Sequence, residues 1–176
     1  MSDIFIILII FFGIVSQIIL GTAGIYLPVL ALLIFYIALN FKFLHTLFYA
    51  MLCGIMIDAV AGRDVPWHII IFAVLTVVGN KWASIKQFRT WYFNFIPGLM
   101  AAAIQVVPLA LINFQSDDSV YFIINEWLPV FAASMFFAAL FMPLAALVLN
   151  DLGVKLKLPP YRPDLGIMTR NTRRWY

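Results

Sequence analysis

Residues 44–67 read LHTLFYAMLCGIMIDAVAGRDVPW, and three features of that stretch decide the fold class. From Leu44 to Ala61 the chain is apolar apart from His45 and Thr46 at its start and one acid, Asp58, and the run is long enough for a membrane-spanning helix of about 20 residues. Gly62-Arg63-Asp64-Val65-Pro66 then interrupts it, because glycine loosens the backbone and the residue before a proline disfavours the helical region. The same break is a helix start: Asp64 is a candidate N-cap and Pro66 fits a first turn, so a further apolar helix is expected over Trp67 to Trp82.

The rest of the chain follows this pattern. Of its 176 residues, 65% are hydrophobic and 11% charged, whereas water-soluble domains are nearer half apolar and a quarter charged. That composition excludes a nucleic-acid-binding domain, a soluble nucleotide-binding enzyme, a collagen-like chain and a disordered tail protein. Other apolar segments are expected at Ile4 to Leu20, Ile25 to Leu39, Phe93 to Phe114 and Trp127 to Leu149. The first reads as a retained helix and not a secretory signal, since only Asp3 is charged ahead of it and no basic leader precedes the run. The expected class is therefore an all-α integral membrane protein with about six transmembrane helices in one bundle over residues 1–150. A basic, proline-containing tail follows over 151–176.

Basic residues give the orientation. Alternating loops place Lys42, Lys81, Lys86, Arg89, Lys155, Lys157, Arg162, Arg170, Arg173 and Arg174 on one side and leave only Arg63 on the other. By the positive-inside rule the crowded side is cytoplasmic, with both termini there. Trp82, Trp91 and Tyr92 flank the loop after the fourth segment as an interfacial belt, and the acidic gap with Asp117, Asp118 and Glu126 falls outside. Pro159-Pro160-Tyr161-Arg162-Pro163 in the tail is expected to be extended, and its basic and aromatic end suits contact with anionic lipid headgroups.

A charged side chain in hydrocarbon costs a few kcal/mol, so Asp58 requires a reason for its place. Gly54, Asp58 and Gly62 recur every fourth residue and share one helix face, where small residues admit a neighbouring helix and the acid can accept hydrogen bonds. Three readings stay open: a partly hydrated carboxylate that caps the fourth helix or pairs with Arg63, a proton or ligand site, and a partner contact. Gly13, Gln17 and Gly21 repeat the spacing in the first segment, with Ser16 beside them. Gly98, Ala101, Ala102 and Gln105, then Ser134, Ala138 and Pro143, read as packing faces of the last two segments, and Pro108 as a kink. His45 and His68 read as amphipathic residues at span ends.

No catalytic set, cofactor site or metal cluster is expected. There is no Ser/His/Asp constellation, HExxH, phosphate loop or paired glutamate within the spans, and the single cysteine, Cys53, lies in an apolar run.

The run Gly54-Ile55-Met56-Ile57-Asp58-Ala59-Val60-Ala61-Gly62 resembles the G-x-x-x-D-x-x-x-G signature of the rod shape-determining protein MreD family. Ser16-Gln17 late in the first helix, Leu27-Pro28-Val29-Leu30 opening the second and Tyr36-Ile37-Ala38-Leu39 after it are also similar to that family. The likeness covers Ile4 to Trp82; the second half agrees in hydropathy alone. Where many members have another glycine, this chain has Pro66, so the turn into the fourth helix departs from the pattern. The resemblance implies a non-enzymatic, multi-pass component of the bacterial inner membrane that acts in cell elongation and cell shape. Its implied partner is the bitopic protein MreC, with indirect links to MreB filaments and the peptidoglycan synthases. The family also looks like the six-helix substrate-binding subunits of energy-coupling-factor transporters, which makes a vitamin-binding transport subunit the alternative. On the scaffold reading, Gly54, Asp58 and Gly62, with Gly13 and Gln17, are expected to form a groove for the partner's single span.

Overall fold

A computed structural model describes residues 2–84, 95–113, 125 and 127–156 of the chain. Six helices account for nearly all of them: α1 (Ser2–Thr22), α2 (Val29–Asn40), α3 (Phe43–Val60), α4 (Trp67–Ser84), α5 (Phe95–Asn113) and α6 (Leu128–Lys155). Four of these, α1, α3, α4 and α6, are long and apolar enough to cross a membrane. The surface agrees with that class. Ile4, Leu8, Phe11 and Phe12 on α1, Leu44, Phe48 and Met56 on α3, and Phe136 and Leu144 on α6 all lie exposed. Contiguous apolar faces of this extent are stable against lipid and not against water.

The second helix differs from the expected segment. Pro28 delays its start to Val29, so the helix has only 12 residues, about 18 Å at 1.5 Å per residue and short of the roughly 30 Å hydrocarbon core. Every residue from Val29 to Leu39 is buried. A helix apolar on all sides belongs in the middle of a bundle, and α2 lies there, packed on α1, α4 and α5 with further contacts to α3 and α6. Phe35, Phe72, Leu30, Leu32 and Met142 form the centre of the core.

Glycines set the closest helix approaches. A Cβ on Gly79 of α4 would stand 2.8 Å from the Ala38 Cβ of α2, and one on Gly98 of α5 would collide with the Ala138 carbonyl of α6. Ala101, Ala102, Gln105, Ser134, Ala138 and Pro143 are all buried, as their reading as packing faces requires.

Short turns fold α2 back on α1 and α4 back on α3. Asp3 of α1 pairs with His45 of α3 at 2.8 Å, which aligns the starts of those two helices. The Ser134 hydroxyl of α6 donates to the Tyr26 carbonyl at 2.8 Å, tying the beginning of α6 to the α1–α2 turn. The last helix runs beyond the expected boundary at residue 150. Asn150 and Asp151 are polar but do not break a helix, and Asp151 and Lys155 form an i,i+4 ion pair at 2.8 Å over its final turn. The remainder of the tail, the loop with Lys86, Arg89, Trp91 and Tyr92, and the acidic gap with Asp117, Asp118 and Glu126 lie outside the described residues.

Candidate functional site

The G-x-x-x-D-x-x-x-G stretch is a complete device for joining two helices, and each of its three marked residues performs a different task. Gly54 sets the distance: a Cβ there would stand 2.7 Å from the Ile69 amide nitrogen and 2.8 Å from its Cα, so the α3 backbone rests directly on the first turn of α4. Gly62 makes the turn. It adopts φ +63°, a left-handed conformation that L side chains rarely take, and it lies beyond the end of α3, not on its face. The Arg63 amide donates to the Asp58 carbonyl at 3.1 Å and the Gly62 amide to the Ala59 carbonyl at 3.2 Å. These are the 6→1 and 5→2 bonds of a Schellman helix end.

Asp58 starts the next helix. Its Oδ2 accepts the backbone N–H of His68 at 2.7 Å, and its Oδ1 accepts from the His68 ring Nδ1 at 2.6 Å. His68 is the second residue of α4, so its amide is one of the four that the helix itself cannot satisfy. The carboxylate therefore caps α4 from the neighbouring helix, and Asp64, which lies ahead of Pro66, is not the residue that does so. Arg63 Nη1 stands 3.7 Å from the same Oδ1. Of the three readings left open by the sequence, the cap on the fourth helix and the approach of Arg63 are seen, but the acid is not partly hydrated. The side chain is 2% exposed, against 34% for that of Arg63.

His68 is the functional neighbour that sequence reasoning missed. It is buried, it supplies two of the bonds to Asp58, and its ring lies against Phe72 at a centroid distance of 5.4 Å. The signal was available: a histidine two positions after Pro66 falls in the first turn, where an unpaired amide requires an acceptor. His45, also read as a lone interfacial residue, is the partner of Asp3.

The α1–α2 hairpin is built on the same plan. Gly24 takes φ +74°, the Ile25 amide donates to the Leu20 carbonyl at 2.8 Å, and the Gly24 amide donates to Gly21 at 3.0 Å, a second Schellman end. The chain enters α2 and α4 through the same tripeptide, an apolar residue, proline and an apolar residue, with Val29 N–H on the Leu27 carbonyl and Trp67 N–H on the Val65 carbonyl, each at 2.9 Å. Gln17 Oε1 then accepts the amide of Leu30, the second residue of α2, at 3.4 Å, as Asp58 does for His68. A Cβ on Gly13 would meet Leu30 and Leu33 of α2, the counterpart of Gly54 against α4. Gly21 has open space around it and makes no close contact.

No family model, curated protein or solved structure matches the chain.

Of the two roles expected for these residues, packing and a groove for a partner's helix, the structure shows the packing. The faces bearing Gly54 and Asp58, and Gly13 and Gln17, are filled by α4 and α2 of the same chain, and Gly62 lies in a turn. These residues position the bundle's own helices. Among the described residues no three His, Cys, Asp or Glu side chains come close enough to hold a metal ion.

Proposed function

We propose that the protein is a scaffold of the MreD type, a non-enzymatic, multi-pass component of the bacterial inner membrane that serves cell elongation by holding an MreC-like single-span partner. Through it the scaffold contacts MreB filaments and the peptidoglycan synthases indirectly. On this reading the bundle lies in the bilayer with both termini cytoplasmic and with the short α2 enclosed by its neighbours, in an arrangement like that of the energy-coupling-factor binding subunits, with the tail on anionic lipids. One observation carries the proposal: the residues of the resemblance are structural determinants. Gly54, Asp58 and Gly62 set the contact, the cap and the turn of one hairpin, while Gln17 and Pro28 do the equivalent work in the other. The charge distribution supports the orientation, since Lys42 opens α3 and Lys81 ends α4 at one end of their hairpin while Arg63 marks the other.

With the small-residue faces occupied internally, the partner's span has the lipid-facing sides of the bundle, where α1 and α3 expose Phe11, Phe12, Phe48 and Ile55. The test is affinity purification from native membranes with identification of what copurifies. A stoichiometric bitopic protein supports the scaffold. A vitamin-like compound retained in detergent, with an ATPase module in place of that protein, replaces it with the transport reading.

A further inference from the structure

Comparison of the two hairpins isolates what is unusual about Asp58. Capping the second helix of such a hairpin requires only a neutral acceptor, because Gln17 provides one to Leu30. Asp58 adds a negative charge, buried among helices, that the cap does not require. Around it stand two side chains able to carry the balancing positive charge, and both are directed at a single atom, Oδ1: His68 Nδ1 at 2.6 Å and Arg63 Nη1 at 3.7 Å.

The contacts match one proton arrangement. At 2.6 Å from a carboxylate oxygen, Nδ1 carries its hydrogen and donates it. The Arg63 nitrogen, 3.5 Å from Nδ1, is therefore a second donor beside the first and not its partner. Arg63 is beyond hydrogen-bond range of Oδ1 and holds it by charge alone. It is also the more exposed of the two and is carried on the turn.

We propose that His68 and Arg63 are alternative counter-ions of Asp58, so that the α3–α4 hairpin is an acid-operated switch. With the ring uncharged, Arg63 balances the carboxylate. When a proton from the aqueous phase adds to Nε2, the Nδ1–H stays on Oδ1 and the imidazolium becomes the counter-ion. The guanidinium, now beside a like charge, swings off the turn into water. The buried site is neutral overall in both states, and the cap on the His68 amide is unchanged. Among the described residues the other titratable groups on the surrounding elements are Asp64 in the same turn, Cys53 and Tyr49 on α3 and Tyr36 on α2; α5 has no charged side chain, and Lys42, His45, Lys81, Asp3, Asp151 and Lys155 lie toward the far end.

The full-length protein in lipid nanodiscs, with 15N-labelled arginine and histidine, tests this by NMR at pH 8 and pH 5, with Arg63→Gln assigning the Arg63 signals. Wild type should show a rigid Arg63 Nε at pH 8 and a mobile one at pH 5, alongside a doubly protonated His68 ring. His68→Gln, which retains a neutral donor to Oδ1, should hold Arg63 rigid at both values, and Asp58→Asn should leave it mobile at both. An unchanged Arg63 in the wild type overturns the proposal. Release in His68→Gln equal to that in the wild type also overturns it, because the proton would then be acting on the carboxylate.

Discussion

Replacing Asp58 with alanine separates two views of this chain, one in which the acid is a minor packing contact and one in which it organises α4. The substitution removes the acceptor of the His68 amide and ring N–H and strands Arg63. A neutral interhelical hydrogen bond in a membrane protein averages only about 0.6 kcal/mol, so two such bonds alone would give about 1 kcal/mol. Breaking a buried charge pair by removing one partner costs more, about 3–5 kcal/mol, because the remaining groups stay desolvated and unpaired. Arg63 is a third exposed and can turn to water, which places the expected loss at the lower end, about 3 kcal/mol. Asp58→Asn keeps an oxygen for the His68 amide and should lose about half as much, roughly 1–2 kcal/mol. Gln17→Ala, whose bond is 3.4 Å long and uncharged, should lose no more than about 0.6 kcal/mol. Unfolding of purified protein in mixed micelles of increasing SDS fraction, followed by circular dichroism, measures all three. The expected order is Asp58→Ala, Asp58→Asn, Gln17→Ala. If Asp58→Ala costs the same as Gln17→Ala, the carboxylate is not the keystone of the hairpin and the reasoning fails.

The glycines should separate in the same assay. Gly54→Ala places a methyl against α4 backbone that cannot move aside and should cost about 1–3 kcal/mol, as overpacking does; a neutral result would mean that the two helices do not touch there. Gly62→Ala meets no neighbour and should lose only the left-handed strain, about 1–2 kcal/mol. Gly21→Ala, in open space on a helix, should be neutral or stabilising by up to about 1 kcal/mol, which thermal melting would register as an unchanged or raised midpoint. Ser134→Ala should cost about 1 kcal/mol by freeing the Tyr26 carbonyl, and faster amide exchange around the α1–α2 turn would locate the loss.

The helices were legible in the sequence because apolar length is a direct property of composition, and glycine and proline mark the breaks between them. The extent of α2 was not legible. Ile25 to Leu39 reads as one apolar run, and only the geometry at Pro28, with φ −82° and ψ 45°, shows that its first residues form a turn. Gly54, Asp58 and Gly62 were singled out correctly by their spacing, yet the spacing suggested a shared face open to another protein. Periodicity states which residues lie on one side of a helix. It does not state what fills that side, and here the occupant is the next helix of the chain. The bond between Asp58 and His68 was missed because the two are ten residues apart with a turn between them, a separation at which helical periodicity carries no information.

A third candidate for the hairpin plan shows what a short pattern can and cannot specify. Leu128-Pro129-Val130 repeats the apolar-proline-apolar tripeptide of Leu27-Pro28-Val29, and α5 carries a buried amide, Gln105, where α1 carries the half-buried Gln17. Yet α6 is already helical at Leu128, with Pro129 inside its first turn, and Gln105 Oε1 meets no donor. Proline is tolerated in both settings because neither the residue before a helix nor the first turn requires its missing N–H. The tripeptide therefore does not choose where the helix begins. In the first two hairpins an acceptor stands opposite the second amide of the incoming helix, held there by a glycine contact one turn earlier at Gly13 or Gly54. At the corresponding position before Gln105 stands Ala101, and the close glycine of α5, Gly98, lies nearly two turns away and faces Ala138, well inside α6. The register of glycine to acceptor, and not the proline, is what makes the hairpin.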